Sequence, residues 1–400
     1  MFKKGLLYIL VNYAIQFINI FLSLVMMKYL TTAQLGDLTL ARTWQQFVDY
    51  SHLGSRFSLD RFIPLSKNRE KKLLVTTVLL TNIIGALTVL IVALIFNHSN
   101  ITVLILTLCG IFISISNIVK AYYRATNRID EMLWLVIYSQ FLPVLLPLII
   151  YSITHNFELY LYSSLGCYGL AIIRLYRIER SLEKYLILKL LFKRLKFLFK
   201  PSILLFLNAI FTFLYLVMDR FFIDSTAGRD QLGNFSVVIF AFSALMIIPS
   251  TCAELLFVKV IKQCSQTGRC LFIKECLIMF SVTLLGVIIA NVVMKFFIEN
   301  FTKYGYLIPE LHLATLAVIP FAFTAIYYHV MNGLDLRKQM VAVSAAVCLI
   351  LIAYYCIPVF THVKFELHDY LYAKLATGWL VLLGYVFFIL RVKIGAHHKK

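Results

Sequence analysis

The chain has 400 residues, of which 61% are hydrophobic and only 14% are charged. Soluble domains carry about 25% charged residues, so this composition excludes a water-soluble globular protein and indicates a protein of the lipid bilayer. The net charge of +19 would fit nucleic-acid binding, but no loop between the apolar stretches is long enough to fold into a basic domain, so we expect no nucleic-acid partner.

Apolar stretches follow one another along the whole chain. A helix needs about 20 apolar residues to cross the hydrocarbon layer, and the sequence contains twelve stretches of that kind. We predict an all-α integral membrane protein with twelve transmembrane helices, at residues 6–27, 36–55, 73–96, 101–121, 132–152, 158–175, 201–222, 232–257, 275–297, 310–331, 339–358 and 370–391.

Basic residues concentrate in every second connecting segment. If the N-terminus lies in the cytoplasm, all but eight of the 38 Lys and Arg residues fall in segments on the cytoplasmic side. This asymmetry is the positive-inside rule, and it predicts that both termini are cytoplasmic.

The first and second predicted spans carry polar residues at helical spacing. Asn12, Gln16, Asn19 and Ser23 share one face of the first span, and the second span places Thr39, Arg42, Gln46 and Asp49 on one face. Polar groups in hydrocarbon are expensive and usually face a bundle interior or a wet cavity. Either the two stripes line a watery cleft, or they bond to neighbouring helices and Arg42 pairs with Asp49 two turns away.

The second half of the chain carries fewer polar residues in its spans. The seventh span repeats the stripe spacing with Asn208, Thr212, Tyr215 and Asp219, and we expect Asn208, Thr212 and Asp219 to line the same cavity. Asp219 and Arg220 lie near the outer end of that span, and Lys374 lies about one turn inside the outer end of the twelfth. For these charges a functional role and simple snorkelling to the membrane surface both remain open.

Short motifs recur six spans apart. The segment "YYRATNRID" (Tyr122–Asp130) ends the fourth span and "YYHVMNGLD" (Tyr327–Asp335) ends the tenth, while "QLGD" opens the second span and "QLGN" the eighth. An even number of spans in each copy predicts a parallel repeat of two six-helix bundles. We assign residues 1–175 and 201–400 to the two lobes, joined by an amphipathic cytoplasmic linker at 176–200. In this plan the transport path runs between the halves.

Signatures of enzymes and cofactors are absent from the sequence. It contains no GxxxxGK[ST] loop, no HExxH and no GxSxG elbow, and its eight cysteines form no CxxC pair. We therefore expect a transporter rather than an enzyme, without cofactor or bound metal.

Three stretches resemble the polysaccharide flippases of the Wzx type, which belong to the multidrug, oligosaccharidyl-lipid and polysaccharide exporter superfamily. They are "KYLTTAQLGDLTLARTWQQFVDYSHLGSRFSLDRFIP" from Lys28 to Pro64, "YYRATNRID" after the fourth span, and "VMDRFFIDSTAGRDQLGNFSV" around the seventh and eighth. The resemblance implies a two-lobed, multi-pass protein of the bacterial inner membrane. It would turn an undecaprenyl-diphosphate-linked oligosaccharide, such as an O-antigen unit, from the inner to the outer leaflet.

The resemblance also implies cationic residues that meet the diphosphate, a role that maps onto Arg42, with Lys374 and Arg220 as further candidates. The partners it implies are the lipid-linked oligosaccharide, membrane lipids, and a polysaccharide polymerase with its chain-length regulator. The alternatives are a cation-coupled drug exporter of the same superfamily, which would need buried carboxylates, and a membrane-bound polymerase or ligase, which would need a large extracytoplasmic loop.

Overall fold

The computed structural model describes residues 2–63, 66–97, 100–126, 128–179, 191–267, 271–361 and 363–397. Within these ranges the chain forms helices and contains no β-strand. The structure thus confirms the all-helical fold expected from the apolar stretches.

The described residues from 2 to 179 form eight α-helices. They are α1 (Phe2–Tyr29), α2 (Thr32–Val48), α3 (Ser55–Phe62), α4 (Asn68–Phe96), α5 (Ile101–Ala125), α6 (Ile129–Val136), α7 (Leu142–Thr154) and α8 (Phe157–Glu179). A single π-helical turn, Ile137–Phe141, joins α6 to α7, so that these two helices continue one another.

The described residues from 191 to 397 form seven further α-helices. They are α9 (Leu191–Leu245), α10 (Ile247–Thr267), α11 (Ile273–Phe301), α12 (Ile308–Leu316), α13 (Val318–Gly333), α14 (Arg337–Thr361) and α15 (Leu367–His397). Inside α9, Gly228 has φ 85° and ψ 177°, which only glycine adopts without strain, and this residue divides α9 into two helical arms.

Among the described residues, eight helical segments are long and apolar enough to cross a membrane, which identifies a multi-pass membrane protein. They are Asn68–Phe96, Ile101–Ala125, Ile129–Thr154, Ser202–Ala253, Ile273–Phe301, Gly305–Gly333, Arg337–Thr361 and Leu367–Val392. The 52-residue segment Ser202–Ala253 contains the kink at Gly228 and covers most of two predicted spans. Each of the twelve predicted spans lies largely on helix, while the count of twelve and the cytoplasmic termini stay predictions.

The chain folds into two compact units. Unit 1 comprises Met1–Thr31 and Asp37–Phe206, and unit 2 comprises Thr32–Gly36 and Leu207–Lys400. The lobes predicted at 1–175 and 201–400 stay a prediction. Residues 180–190 of the predicted linker lie outside the described residues.

In unit 1 the turn that follows α2 is held by close backbone packing. A Cβ atom on Gly110 of α5 would lie 2.8 Å from the carbonyl oxygen of Gln45, and one on Gly85 of α4 would collide with the carbonyl oxygen of Ser51. Beyond this turn Leu53 and Gly54 both have positive φ, and the chain reverses into α3. Glycine at positions 85 and 110 therefore allows the backbone at the end of α2 to pack directly against α4 and α5.

The first copy of the repeated tyrosine motif closes one end of unit 1. Arg128, between α5 and α6, forms ion pairs with Glu179 at the end of α8 and, at 3.1 Å, with Glu131. Its guanidinium also stacks on the Tyr123 ring, 4.5 Å from the ring centroid. Arg128 therefore joins the ends of three helices.

The glycine of each "QLG" motif packs tightly within unit 2. A Cβ atom on Gly36 would collide with the carbonyl oxygen of Arg229, and a Cβ atom on Gly233 would collide with that of Thr32. At neither position is there room for a larger residue.

The residue after each "QLG" motif makes a matching contact within its own unit. In unit 1, Asp37 Oδ1 accepts a hydrogen bond from Asn100 Nδ2 at 2.7 Å, at the start of α5. In unit 2, Asn234 Oδ1 accepts one from the Tyr306 hydroxyl at 2.7 Å, just before α12. Each donor residue lies at the start of the second membrane segment after the helix that carries the motif. This correspondence supports the predicted repeat.

Candidate functional site

Arg42 lies in the middle of α2 and is half-buried. Its Nη2 is 3.7 Å from the sulfur of Met26 on α1. A thioether is a weak acceptor. Within the part of the chain that the structure describes, no carboxylate forms an ion pair with Arg42, so most of its donors are available to a ligand.

Asp49, the other charge on the polar face of α2, has partners of its own. Its carboxylate accepts hydrogen bonds from Arg56 Nη1 at 3.0 and 3.2 Å and from Asn117 Nδ2 at 3.0 Å. The turn at Leu53 and Gly54 brings Arg56 back beside the end of α2. The sequence left open a pairing of Arg42 with Asp49. The structure instead pairs Asp49 with Arg56.

The polar stripe of α1 leads along the helix to the residue that touches Arg42. Asn19 Nδ2 lies 3.4 Å from the carbonyl oxygen of Gln140, and the Ser23 hydroxyl donates to the carbonyl oxygen of Asn19 at 2.8 Å. Met26 follows Ser23 by three residues and so continues the same helical face. Gln46 on α2 is exposed, and the side chain of Asn12 lies outside the described residues.

Two amide oxygens of this stripe are left without a hydrogen bond. Gln16 Oε1 and Asn19 Oδ1 are buried and have no partner among the described residues. A buried acceptor without a donor costs on the order of 1–3 kcal/mol, which a ligand hydroxyl could recover. Gln140, beside Asn19, belongs to the π-helical turn, and such turns occur frequently at functional sites.

The corresponding stripe of α9 is packed inside unit 2. Asn208 is 2% exposed and accepts a hydrogen bond from the Ser344 hydroxyl of α14 at 2.8 Å. Asp219 is 1% exposed, Tyr215 is buried, and Thr212 is half-buried. Asn208 and Asp219 are thus buried and contact side chains of α14 and α15, whereas the α1 stripe contains acceptors without a hydrogen bond.

Lys374 and Asp219 form a fully buried ion pair that joins α15 to α9. Lys374 Nζ lies 2.5 Å from Asp219 Oδ2, donates to the carbonyl oxygen of Leu216 at 2.6 Å, and sits 5.4 Å from the centre of the Phe242 ring. The sequence leaves two possibilities open for Asp219, a functional role or snorkelling to the membrane surface. The backbone N–H of Arg220 donates to Asp219 Oδ1 at 2.9 Å, while Lys374 supplies the opposite charge.

Sequence reasoning missed this pair although a signal for it was present. Asp219 and Lys374 were each placed near the outer end of a predicted span, in the seventh and twelfth. Charges at the same depth in hydrocarbon usually pair with one another. Matching depths across all the spans would have suggested the contact.

Every buried carboxylate of the described residues has a basic partner. The three acids are Glu179, Asp219 and Glu275, and their partners are Arg128, Lys374 and Lys259. Glu275 and Lys259 approach to 2.9 Å. The described residues also contain no cluster of three or more His, Cys, Asp or Glu side chains that could hold a metal ion. Arg42, by contrast, has no acidic partner among the described residues.

The contrast between the two stripes predicts different thiol reactivity. In a background without native cysteines, we expect a small water-soluble thiol reagent to modify Gln46→Cys at least tenfold faster than Asn208→Cys. The reason is that the reactive thiolate scarcely forms in a dry helix contact. Phe17→Cys is the control for lipid exposure, because Phe17 is 73% exposed on an apolar helix. Equal rates at positions 46 and 17 would contradict a watery environment beside Arg42.

Comparison with known proteins identifies the fold. No family model and no curated protein sequence matches the chain. Among solved structures it is similar to the lipid II flippase MurJ in an inward closed conformation, with a TM-score of 0.68 and 15% identity over 96% of this chain and 87% of that one. It is also similar to an outward-facing multidrug resistance MATE family transporter of the MOP superfamily, with a TM-score of 0.62 and 14% identity over 98% and 95% of the two chains.

A MATE structure in complex with MaD3S matches in the same way, with a TM-score of 0.60 and 13% identity over 98% and 95% of the two chains. At such identities the likeness concerns the fold alone. The chain shares its fold with these MurJ and MATE structures.

Proposed function

We propose that the protein is a flippase that turns an undecaprenyl-diphosphate-linked oligosaccharide from the cytoplasmic to the outer leaflet of the bacterial inner membrane. The cargo is a repeat unit of O-antigen or of a related surface polysaccharide. Three things support the proposal: the fold shared with a lipid II flippase, the resemblance of the sequence to polysaccharide flippases, and the chemistry around Arg42.

The observation that carries the proposal is the uncompensated guanidinium of Arg42 inside a membrane protein. A planar guanidinium donates two parallel hydrogen bonds to phosphate oxygens, and these charge-assisted bonds are among the strongest that a side chain makes. A diphosphate would supply the negative charge that Arg42 lacks among the described residues.

The polar stripe of α1 is the part of the proposed site that binds the sugar. The oxygens of Gln16 and Asn19 are buried acceptors without donors, and oligosaccharide hydroxyls are donors. Gln46 on α2 is exposed and is a further candidate for contacts with the sugar, and Asn12 stays a candidate from the sequence pattern alone. Arg220 stays a secondary candidate for the diphosphate, whereas we assign Lys374 to the stabilisation of unit 2 through Asp219.

A cation-coupled exporter of the same fold is the second candidate, because MATE transporters share the architecture. Such an exporter needs a buried carboxylate that a proton or metal cation can neutralise. In the described residues each buried carboxylate already faces Arg or Lys. This arrangement favours the flippase, whose cargo is anionic and meets an uncompensated cation.

Deletion of the gene in its host tests the proposal. We expect lipid-linked repeat units to accumulate in the cytoplasmic leaflet, where a polymerase and its chain-length regulator on the other side cannot use them. Unchanged surface polysaccharide together with increased drug sensitivity would favour the exporter and contradict the flippase.

A further inference from the structure

A small cavity lies in unit 1 where the first turns of α6 approach the last turns of α8, well away in sequence from the α2 site. Its volume is about 140 Å³, and the side chains that line it include Trp134, Tyr138, Arg174 and Leu175. Aromatic rings and one guanidinium thus meet at a single opening, and no role described so far uses them.

The guanidinium of Arg174 is held by two aromatic rings. Its central carbon lies 4.4 Å from the centroid of Tyr138 and 5.2 Å from that of Trp134. Among the described residues it forms no hydrogen bond and no ion pair. Stacking uses the face of the guanidinium plane and leaves the N–H groups along its edge for an anion.

The cavity lies close to the ends of α6 and α8, where lipid headgroups are expected beside membrane helices. Helix α6 starts directly after Arg128, and Trp134 lies five residues further, or about 7.5 Å along the helix. Arg174 precedes Glu179, the partner of Arg128, by the same interval. Trp and Tyr collect at this level of a membrane, and the positive-inside rule places this end of the bundle in the cytoplasm.

The residues around the opening of the cavity are apolar, and the acidic residue that lines it is paired with an arginine outside it. Trp134 is 49% exposed and Ile173 on α8 is 51% exposed, so acyl chains can lie against the opening. The acid among the lining residues is Glu131, which Arg128 already binds at 3.1 Å. The charge of Arg174 therefore remains for an anion that arrives from the bilayer.

We propose that this cavity binds the headgroup phosphate of an anionic glycerophospholipid in the inner leaflet. Arg174 donates to the phosphate oxygens, Tyr138 and Trp134 hold the guanidinium in position, and the acyl chains lie along the exposed face of α8. Basic pockets between membrane helices on the cytoplasmic side bind lipid headgroups in this way.

Native mass spectrometry of the full-length protein with added phosphatidylglycerol tests the site. We expect Arg174→Gln to weaken retention of one phosphatidylglycerol molecule by about tenfold, since it removes charge-assisted hydrogen bonds. The matched control is Arg177→Gln, which removes an exposed charge from the same helix and should change retention by less than about twofold, as a rim charge does. Equal retention by wild type and Arg174→Gln overturns the proposal.

Two further arms keep the test decisive. Arg174→Lys keeps the charge but loses the stacked plane, so intermediate retention is expected. If Arg174→Gln does not fold, the thermal stability of the wild type in phosphatidylglycerol and in phosphatidylcholine replaces it, and the absence of any difference overturns the site. If equimolar undecaprenyl diphosphate displaces phosphatidylglycerol, the cavity still binds a phosphate, but the proposal that its occupant is a phospholipid is wrong.

Discussion

Arg42→Ala is expected to lower the proposed export of a lipid-linked oligosaccharide by about 100-fold, which is the effect of losing charge-assisted hydrogen bonds worth about 3 kcal/mol. Arg42→Lys should keep part of the activity, because the positive charge survives while the bidentate geometry is lost. The measurement is surface polysaccharide in cells that lack the wild-type gene, at equal abundance of each variant in the membrane.

The matched control for Arg42 is Arg69→Ala, which removes a basic residue from the exposed first turn of α4. We expect this variant to export normally, since a solvated charge makes little difference there. Wild-type export by Arg42→Ala would remove Arg42 from the site. Equal loss in both variants would mean that general charge matters and not the position of Arg42.

Lys374→Met is expected to destabilise unit 2 by about 3–5 kcal/mol, because it leaves the carboxylate of Asp219 buried without its counter-charge. The double variant Lys374→Met, Asp219→Leu should recover most of that loss, since an apolar pair of similar size carries no desolvation cost. Thermal unfolding followed by a thiol-reactive dye measures both, because Cys276 and Cys348 of unit 2 are buried and react on unfolding.

Lys295→Met provides the comparison for this ion pair. Lys295 lies 3.9 Å from Glu299 on the exposed surface of α11, where a pair of this kind is worth at most about 1 kcal/mol. If Lys374→Met unfolds no earlier than Lys295→Met, the buried pair does not stabilise unit 2. Failure of the double variant to recover would show that Lys374 acts through contacts other than Asp219.

Much of the fold followed from the sequence because one physical constraint dominates it. In hydrocarbon a backbone must bond to itself, so an apolar stretch of about 20 residues becomes a helix. The helices α4, α5 and α11 cover their predicted spans for this reason. The kink at Gly228 was not predicted, because a glycine inside a helical pattern does not reveal its φ angle.

The candidate site was predictable only in part, because its chemistry depends on contacts between distant residues. The sequence placed Arg42 and Asp49 on one helical face, and their spacing permitted an ion pair. Asp49 does not pair with Arg42 because its carboxylate binds Arg56 and Asn117 instead. The turn at Leu53 and Gly54 brings Arg56 into position, and α5 supplies Asn117. Neither the positive φ angles nor the arrival of α5 can be derived from local pattern.

The most direct test of the central claim is translocation by the purified protein in liposomes. A fluorescent undecaprenyl-diphosphate-linked oligosaccharide is placed in both leaflets, and an impermeant quencher is added outside. The account predicts quenching of nearly all the fluorescence with the wild-type protein, of about half with Arg42→Ala, and of about half in liposomes without protein, since only the outer leaflet is then accessible. The account is contradicted if the wild-type protein allows quenching of only half of the fluorescence while the same liposomes show uptake of a cationic drug against a proton or sodium gradient.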